Sequence, residues 1–211
     1  MSRPGDQPEH PAALWRKVAR GMGEDYADKY ADRFESLAAR GDDIDGEATF
    51  VDSFLAPGSR VLDAGCGTGR VGLRLHELGH RVVGVDADEG MVDVARRRSP
   101  GPRWEVADLA TLDLGETVDL VVMAGNIVPF LSGGRLGPAM ERLAAHLVTG
   151  GAVVCGYGLD EQHVPTGGLL VSLEEYDRAC SAAGLVLDDR FDGWDGAPYT
   201  ESGYAVSMHR R

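Results

Sequence analysis

The chain has 211 residues, with 34 Asp and Glu against 21 Lys and Arg, for a net charge of −13. That acidity argues against a nucleic-acid partner, whose phosphates need clustered Lys and Arg, and no apolar run approaches the length that spans a bilayer. The length suits one α/β domain with a substantial core and is short for two.

No apolar leader opens the chain, and the three cysteines (Cys66, Cys155 and Cys180) are odd in number, far apart and without metal-ligand spacing. Both features are expected of a cytoplasmic protein with neither metal nor membrane partner, and they leave the oligomeric state open. Residues 1–11 hold three prolines and little that is apolar, so disorder is expected there. Residues 12–57 read as helical. Leu14, Trp15 and Val18 mark a short helix, Tyr26, Tyr30, Phe34 and Leu37 step by three or four along a longer one that Gly41 ends, and a third spans 46–55. The intervening acids Asp42, Asp43, Asp45 and Glu47 lack a histidine or a spaced ligand set and read as a solvated loop.

Residues 58–211 carry the most informative stretch, which begins Val61-Leu62-Asp63-Ala64-Gly65-Cys66-Gly67-Thr68-Gly69. An apolar run ending at Leu62 predicts a buried strand, and Gly-x-Gly-x-Gly predicts a turn whose backbone passes close to a ligand. Val71, Leu73, Leu75 and Leu78 then recur at helical spacing until Gly79, and a β-branched run over 81–85 ends at Asp86. Strand, glycine turn, helix, strand and acid form a nucleotide-type βαβ unit, with the acid roughly 20 residues past the glycines. A dinucleotide fingerprint would place its third glycine where Arg70 stands; here it comes one residue earlier, at Gly69. Asp63 at the mouth of the turn would repel a pyrophosphate and attract an ammonium group.

Asp63, Gly65, Gly67, Gly69 and Asp86 together resemble the class I S-adenosylmethionine-dependent methyltransferases, whose first motif is an acidic residue followed by Gly-x-Gly-x-Gly. The resemblance implies an α/β fold, a Rossmann-like seven-stranded and mostly parallel sheet with a final antiparallel strand, helices on both faces and residues 12–57 as a helical cap. It implies S-adenosylmethionine as cofactor and S-adenosylhomocysteine as product. Asp63, Ala64, Gly65, Cys66, Gly67 and Gly69 would then form the turn beneath the cofactor, and Asp86 would accept both ribose hydroxyls. Ala87 follows Asp86, and Met91 would lie on the adenine face; core packing is an equal reading for Met91. The acid at the end of the third strand, Asp108, would take the adenine amino hydrogen, and the N–H of Leu109 would meet a ring nitrogen. Tyr30, with Arg33 beside it, would touch the methionine end from the cap, although a core-facing helix stripe explains Tyr30 as well.

Further along, 103–107 reads as the third strand and 118–123 as the fourth. Ala124, Gly125 and Asn126 leave the fourth strand beside the expected position of the reactive methyl. The Asn/Asp-Pro-Pro-aromatic motif of amino-group nucleic-acid methyltransferases is absent there, as is the Pro-Cys nucleophile of the cytosine C5 enzymes. A helix over 135–147, a tight turn over 148–151 and a fifth strand over 152–155 follow. The segment 156–168 reads as a loop over the pocket carrying Tyr157 and His163, the latter a candidate general base by its ordinary pKa. A helix over 173–183 leads to two final strands, 185–191 and 204–209, joined by a loop whose Trp194, Asp195 and Tyr199 form a candidate substrate wall. Arg96, Arg97 and Arg98 sit where a helix should end, and complement its dipole. The sequence thus reads as a methyltransferase acting on a small molecule, with no catalytic residue assigned. Two rivals are another use of the same cofactor, catalytic or sensory, and a nicotinamide oxidoreductase, which Asp63 and Arg70 disfavour.

Overall fold

The computed structural model describes residues 25–211 except Ser132, together with Trp15, Val18, Gly21 and Gly23. The disorder expected for 1–11 and most of the first short helix therefore lie outside the described residues. Among the described residues, seven strands and six α-helices follow in this order: α1 Tyr26–Ala39, α2 Gly46–Asp52, β1 Arg60–Ala64, α3 Arg70–Glu77, β2 Arg81–Asp86, α4 Glu89–Arg98, β3 Arg103–Val106, β4 Val118–Met123, α5 Leu136–Ala145, β5 Leu147–Gly158, α6 Leu173–Ala182, β6 Val186–Phe191 and β7 Tyr204–Arg210. The sheet order is β3-β2-β1-β4-β5-β7-β6. β1 to β5 pair in parallel, whereas β7 runs antiparallel to both β5 and β6.

The period-2 alternation of a pleated strand divides the core into two layers. Leu62, Val83, Val121, Met123 and Val153 face α5 and α6, where Met140, Leu143 and Tyr176 cover them. Val61, Val82, Leu120, Val122 and Val154 face the other way, against Phe50 and Val51 of α2 and Val71 and Leu75 of α3. Because both faces are buried, the central strands are near-continuous β-branched runs. The same alternation turns Asp63 toward α3, where it accepts the Gly72 N–H at 2.9 Å.

Helix ends follow local chemistry. Asp88 caps α4 by accepting the Met91 N–H, and Ser172 caps α6 by accepting the Glu175 N–H. Gly41, at φ +85°, closes α1 with N–H donation to the Ala38 carbonyl while Asp42 N donates to Leu37. α2 ends at Asp52, earlier than the sequence predicts, because Ser53 turns its hydroxyl back on the Phe50 carbonyl. Leu78 is exposed and does not belong to the buried stripe of α3. Among the described residues, no helix is long and apolar enough to cross a membrane.

β5 departs most from expectation. The segment 147–158 is one strand with an irregularity in its pairing to β4, so the tight turn expected over 148–151 lies inside it. Residues 156–158 therefore belong to the sheet and not to a loop.

Candidate functional site

The topology reverses between β1 and β4, and ligands in open α/β sheets collect at that switch, outside the carboxyl ends of the strands. A cavity of about 500 Å³ opens there. Its floor is the glycine turn. Gly65 and Cys66 both donate their N–H groups to the Val85 carbonyl, at 2.8 and 2.9 Å, and Gly67 donates to Asp86 Oδ2 at 2.9 Å. Gly65, Gly67 and Gly69 all have positive φ, between +53° and +87°, where side chains are strained. A Cβ on Gly67 would project into open space, so this turn presents bare backbone to the cavity.

Of the residues singled out in the sequence, Tyr30, Asp63, Gly65, Cys66, Gly67, Asp86, Ala87, Met91, Asp108, Leu109, Ala124, Gly125, Asn126 and Trp194 line this one cavity. Met91 does so while packed with Ala27, Ala31 and Val94, so its two readings coincide. Ala64 and Gly69 do not face the cavity. Ala64 is buried in the sheet, and Gly69 is a packing glycine: a Cβ there would stand 2.9 Å from the Trp104 ring. Gly72 and Gly84 meet the same indole, at 2.9 and 2.2 Å. Trp104 therefore explains why the third glycine falls at 69, where strand and helix converge on one buried ring.

Three substrate-side expectations require correction. Tyr157 is fully buried, with its ring 5.4 Å from Tyr176 and its hydroxyl donating to the Ser172 carbonyl. It faces the core because 157 is a strand position. His163 is half-exposed, bonds Asp160 at 2.7 Å and is absent from the cavity wall. Tyr199 lies beside the Arg190 guanidinium, 6.0 Å from Cζ to the ring centre, also away from the cavity. The acidic segment is not merely solvated either. Arg70 forks onto Glu47 at 2.7 and 2.5 Å, bonds the Ile44 carbonyl and lies 4.6 Å over the Phe34 ring. This through-space knot ties the helical segment to the glycine turn, and Arg33, Phe34, Glu47 and Arg70 all line the cavity.

Arg97 and Arg98 join α4 to α1 through Asp28, Asp32 and Glu35, at 2.8 to 3.1 Å. Arg97 and Arg98 are thus spent on α1, while Arg96 bonds Asp93 and the Trp104 carbonyl at 3.1 Å.

The acids around the cavity are tuned by desolvation. Asp63 is only 2 % exposed, and burial pushes its pKa up to about 7 against the opposing pull of the Gly72 N–H and Arg70. The sequence suggests a fixed negative charge; the structure has one that titrates near neutrality. Asp86 is raised to about 6, chiefly by loss of water, while the N–H groups of Asp88 and Gly67 pull it down. Each Asp86 oxygen already accepts one of these N–H groups at 2.9 Å and keeps a further lone pair for a ligand. Asp108 is also engaged, by the Ala110 N–H at 2.9 Å and by Arg135. Asn126, at φ +65°, accepts the Gly158 N–H at 2.6 Å, which fixes the loop after β4 to β5.

Residues 61–151 match the family described as a methyltransferase domain. A TehB-like S-adenosylmethionine-dependent methyltransferase from Corynebacterium glutamicum is 34 % identical, with a TM-score of 0.80 over 90 % of this chain and 100 % of that one. The chain belongs to the class I S-adenosylmethionine-dependent methyltransferases. Among curated relatives of this methyltransferase, a dTDP-3-amino-3,6-dideoxy-alpha-D-glucopyranose N,N-dimethyltransferase from Streptomyces fradiae is 31 % identical over 68 % of this chain and 51 % of its own. A demethylmenaquinone methyltransferase from Symbiobacterium thermophilum is 34 % identical over 56 % of this chain and 47 % of its own. The chain spans about half the length, or less, of the curated relatives it matches.

The cofactor of the family is S-adenosylmethionine, and the methyltransferase cavity fits it on two structural grounds. The turn at Gly67 offers backbone without a side chain, and Asp86 retains acceptor capacity at the cavity wall. The two signals that sequence inspection missed, Glu47–Arg70 and Trp104 beneath the glycines, both join residues far apart in the chain.

Proposed function

We propose that this chain moves a methyl group from S-adenosylmethionine to a small-molecule acceptor in the cytoplasm. The observation that carries the reading is the gathering of Asp63, the Gly65–Gly67 turn, Asp86, Asp108 and Asn126 around one cavity at the strand-order switch. The cofactor supplies an electrophilic methyl that is already activated. The protein's part is then chiefly alignment and exclusion of water, which can account for much of the rate. In this reading Asp86 accepts the ribose hydroxyls, Met91 lies on the adenine face, Asp108 takes the adenine amino hydrogen and the Leu109 N–H meets a ring nitrogen, while Asp63 faces the ammonium end and Tyr30 closes over the methionine portion. No residue is assigned as a general base. Relatives named for an amino sugar and a quinone precursor support a small acceptor, and the net charge of −13 supports the absence of a nucleic-acid partner.

The reading is tested by differential stabilisation. S-adenosylhomocysteine at about a hundred times its dissociation constant should raise stability by about 2.7 kcal/mol, visible as a thermal shift, whereas NAD should give none. A shift with NAD alone would remove the methyltransferase reading.

The cap is tested separately. If α1 closes over the cofactor, amide exchange across Tyr26–Ala39 should slow when S-adenosylhomocysteine is added, and Tyr30→Ala should weaken binding more than it weakens the fold. Unchanged exchange in α1 would leave it as ordinary core packing.

A further inference from the structure

The β6–β7 hairpin contributes Trp194 and Tyr204 to the cavity wall, and neither has a part in the cofactor contacts proposed above. Trp194 Nε1 donates to the Tyr204 hydroxyl oxygen at 3.0 Å. The tyrosine's own proton has no acceptor among the described residues. The pair is rigidly held. Trp194 packs edge-on against Phe50 at 5.7 Å, and both side chains lie over Gly156 of β5. A Cβ at Gly156 would stand 2.5 Å from Trp194 Cζ2 and 2.7 Å from the Tyr204 hydroxyl. Glycine weakens a strand interior and marks a close approach, and here it admits this hydrogen-bonded aromatic pair to the cavity end of the sheet.

We propose that the Tyr204 hydroxyl binds the methyl acceptor directly, donating its proton to an oxygen of a small oxygen-bearing molecule seated against Trp194. This rests on the methyltransferase reading. The direction of the bond follows from the Trp194 N–H, which takes one accepting position of the hydroxyl, while the hydroxyl proton is left for the substrate. Desolvation raises the Tyr204 pKa further above the ordinary tyrosine value, so the group stays a donor at neutral pH. Glu47, whose charge reaches Tyr204, is itself forked by Arg70 through both carboxylate oxygens. Phe34, Ile127 and Phe130 supply apolar walls, suited to a compact ring or short chain carrying a phenolate, carboxylate or sugar oxygen. A group that can only donate, such as an alkylammonium, cannot take up the Tyr204 proton.

The test uses the full chain with labelled S-adenosylmethionine and a panel of small phenols, carboxylates and amino sugars, set against oxygen-free alkylamines. Product is expected with an oxygen-bearing member. Tyr204→Phe should then raise KM for that acceptor about five- to twentyfold, with S-adenosylhomocysteine affinity by calorimetry within twofold of wild type. Trp194→Phe, which removes the orienting N–H together with part of the ring that seats the acceptor, should also raise KM, and it carries the test if Tyr204→Phe does not fold. The proposal is overturned by an unchanged KM in both variants, by a matching loss of S-adenosylhomocysteine affinity, or by methylation confined to the alkylamines. Binding of S-adenosylhomocysteine with no oxygen-bearing acceptor methylated would overturn it too, while leaving the cofactor reading intact. Failure of wild type to bind S-adenosylhomocysteine would remove the methyltransferase reading itself.

Discussion

Asp86→Ala is expected to weaken S-adenosylhomocysteine binding by roughly thirty- to a thousandfold, or about 2–4 kcal/mol. Two hydroxyl donors on a charged acceptor are each worth about 1.5–3 kcal/mol, and the sum is reduced because water partly replaces the lost partner. The carboxylate has a second task that the sequence did not reveal. It accepts the Gly67 and Asp88 N–H groups and so pins the glycine turn to the end of β2. Alanine there orphans both donors, so the apo protein should also lose about 1–3 kcal/mol. The affinity loss must therefore be read by calorimetric titration well below the melting temperature, with apo melting curves beside it. Binding within threefold of wild type would mean that the ribose lies elsewhere.

The double task of Asp86 shows where the sequence was transparent and where it was not. The βαβ unit was legible because its determinants are local. β-branched runs mark strands buried on both faces, and three glycines within five residues mark a turn that side chains cannot follow. Even the packing role of Gly69 became visible only once Trp104, 35 positions away, was placed beneath it. The substrate side was only partly legible for the same reason: Trp194 lines the cavity, whereas Tyr157, His163 and Tyr199 do not. Gly156 and Gly158 read as loop residues, but each is a strand glycine with a bulky neighbour pressed against it: Trp194 and Tyr204 at the first, the backbone of His163 at the second. Once β5 extends to Gly158, Tyr157 must face the core. Glu47 and Arg70, 23 positions apart, meet only because α2 packs beside α3. No periodicity encodes such a pair.

Asp63 carries the second large expectation, a pH dependence of stability. Its pKa rises from the ordinary 3.8 to about 7 on folding. Between these values the folded chain holds a proton that the unfolded chain gives up. Stability contributed by this group is therefore full below about pH 4, falls as pH rises and is lost above about pH 7. A shift of that size corresponds to about 4 kcal/mol, and Asp86, raised to about 6, acts in the same direction over a narrower window. Asp63→Asn keeps an oxygen for the Gly72 N–H and removes the ionisation. Denaturant unfolding of the apo protein should show the mutant at least as stable as wild type at pH 8, with a shallower decline between pH 5 and pH 8. Binding should move the opposite way. A cofactor ammonium favours the ionised carboxylate, so wild-type affinity should strengthen as pH rises through 7, while Asp63→Asn binds at least tenfold more weakly and loses that dependence. If the mutant instead loses the same stability at every pH, Asp63 is already charged in the apo fold, held by Arg70, and burial does not govern its titration.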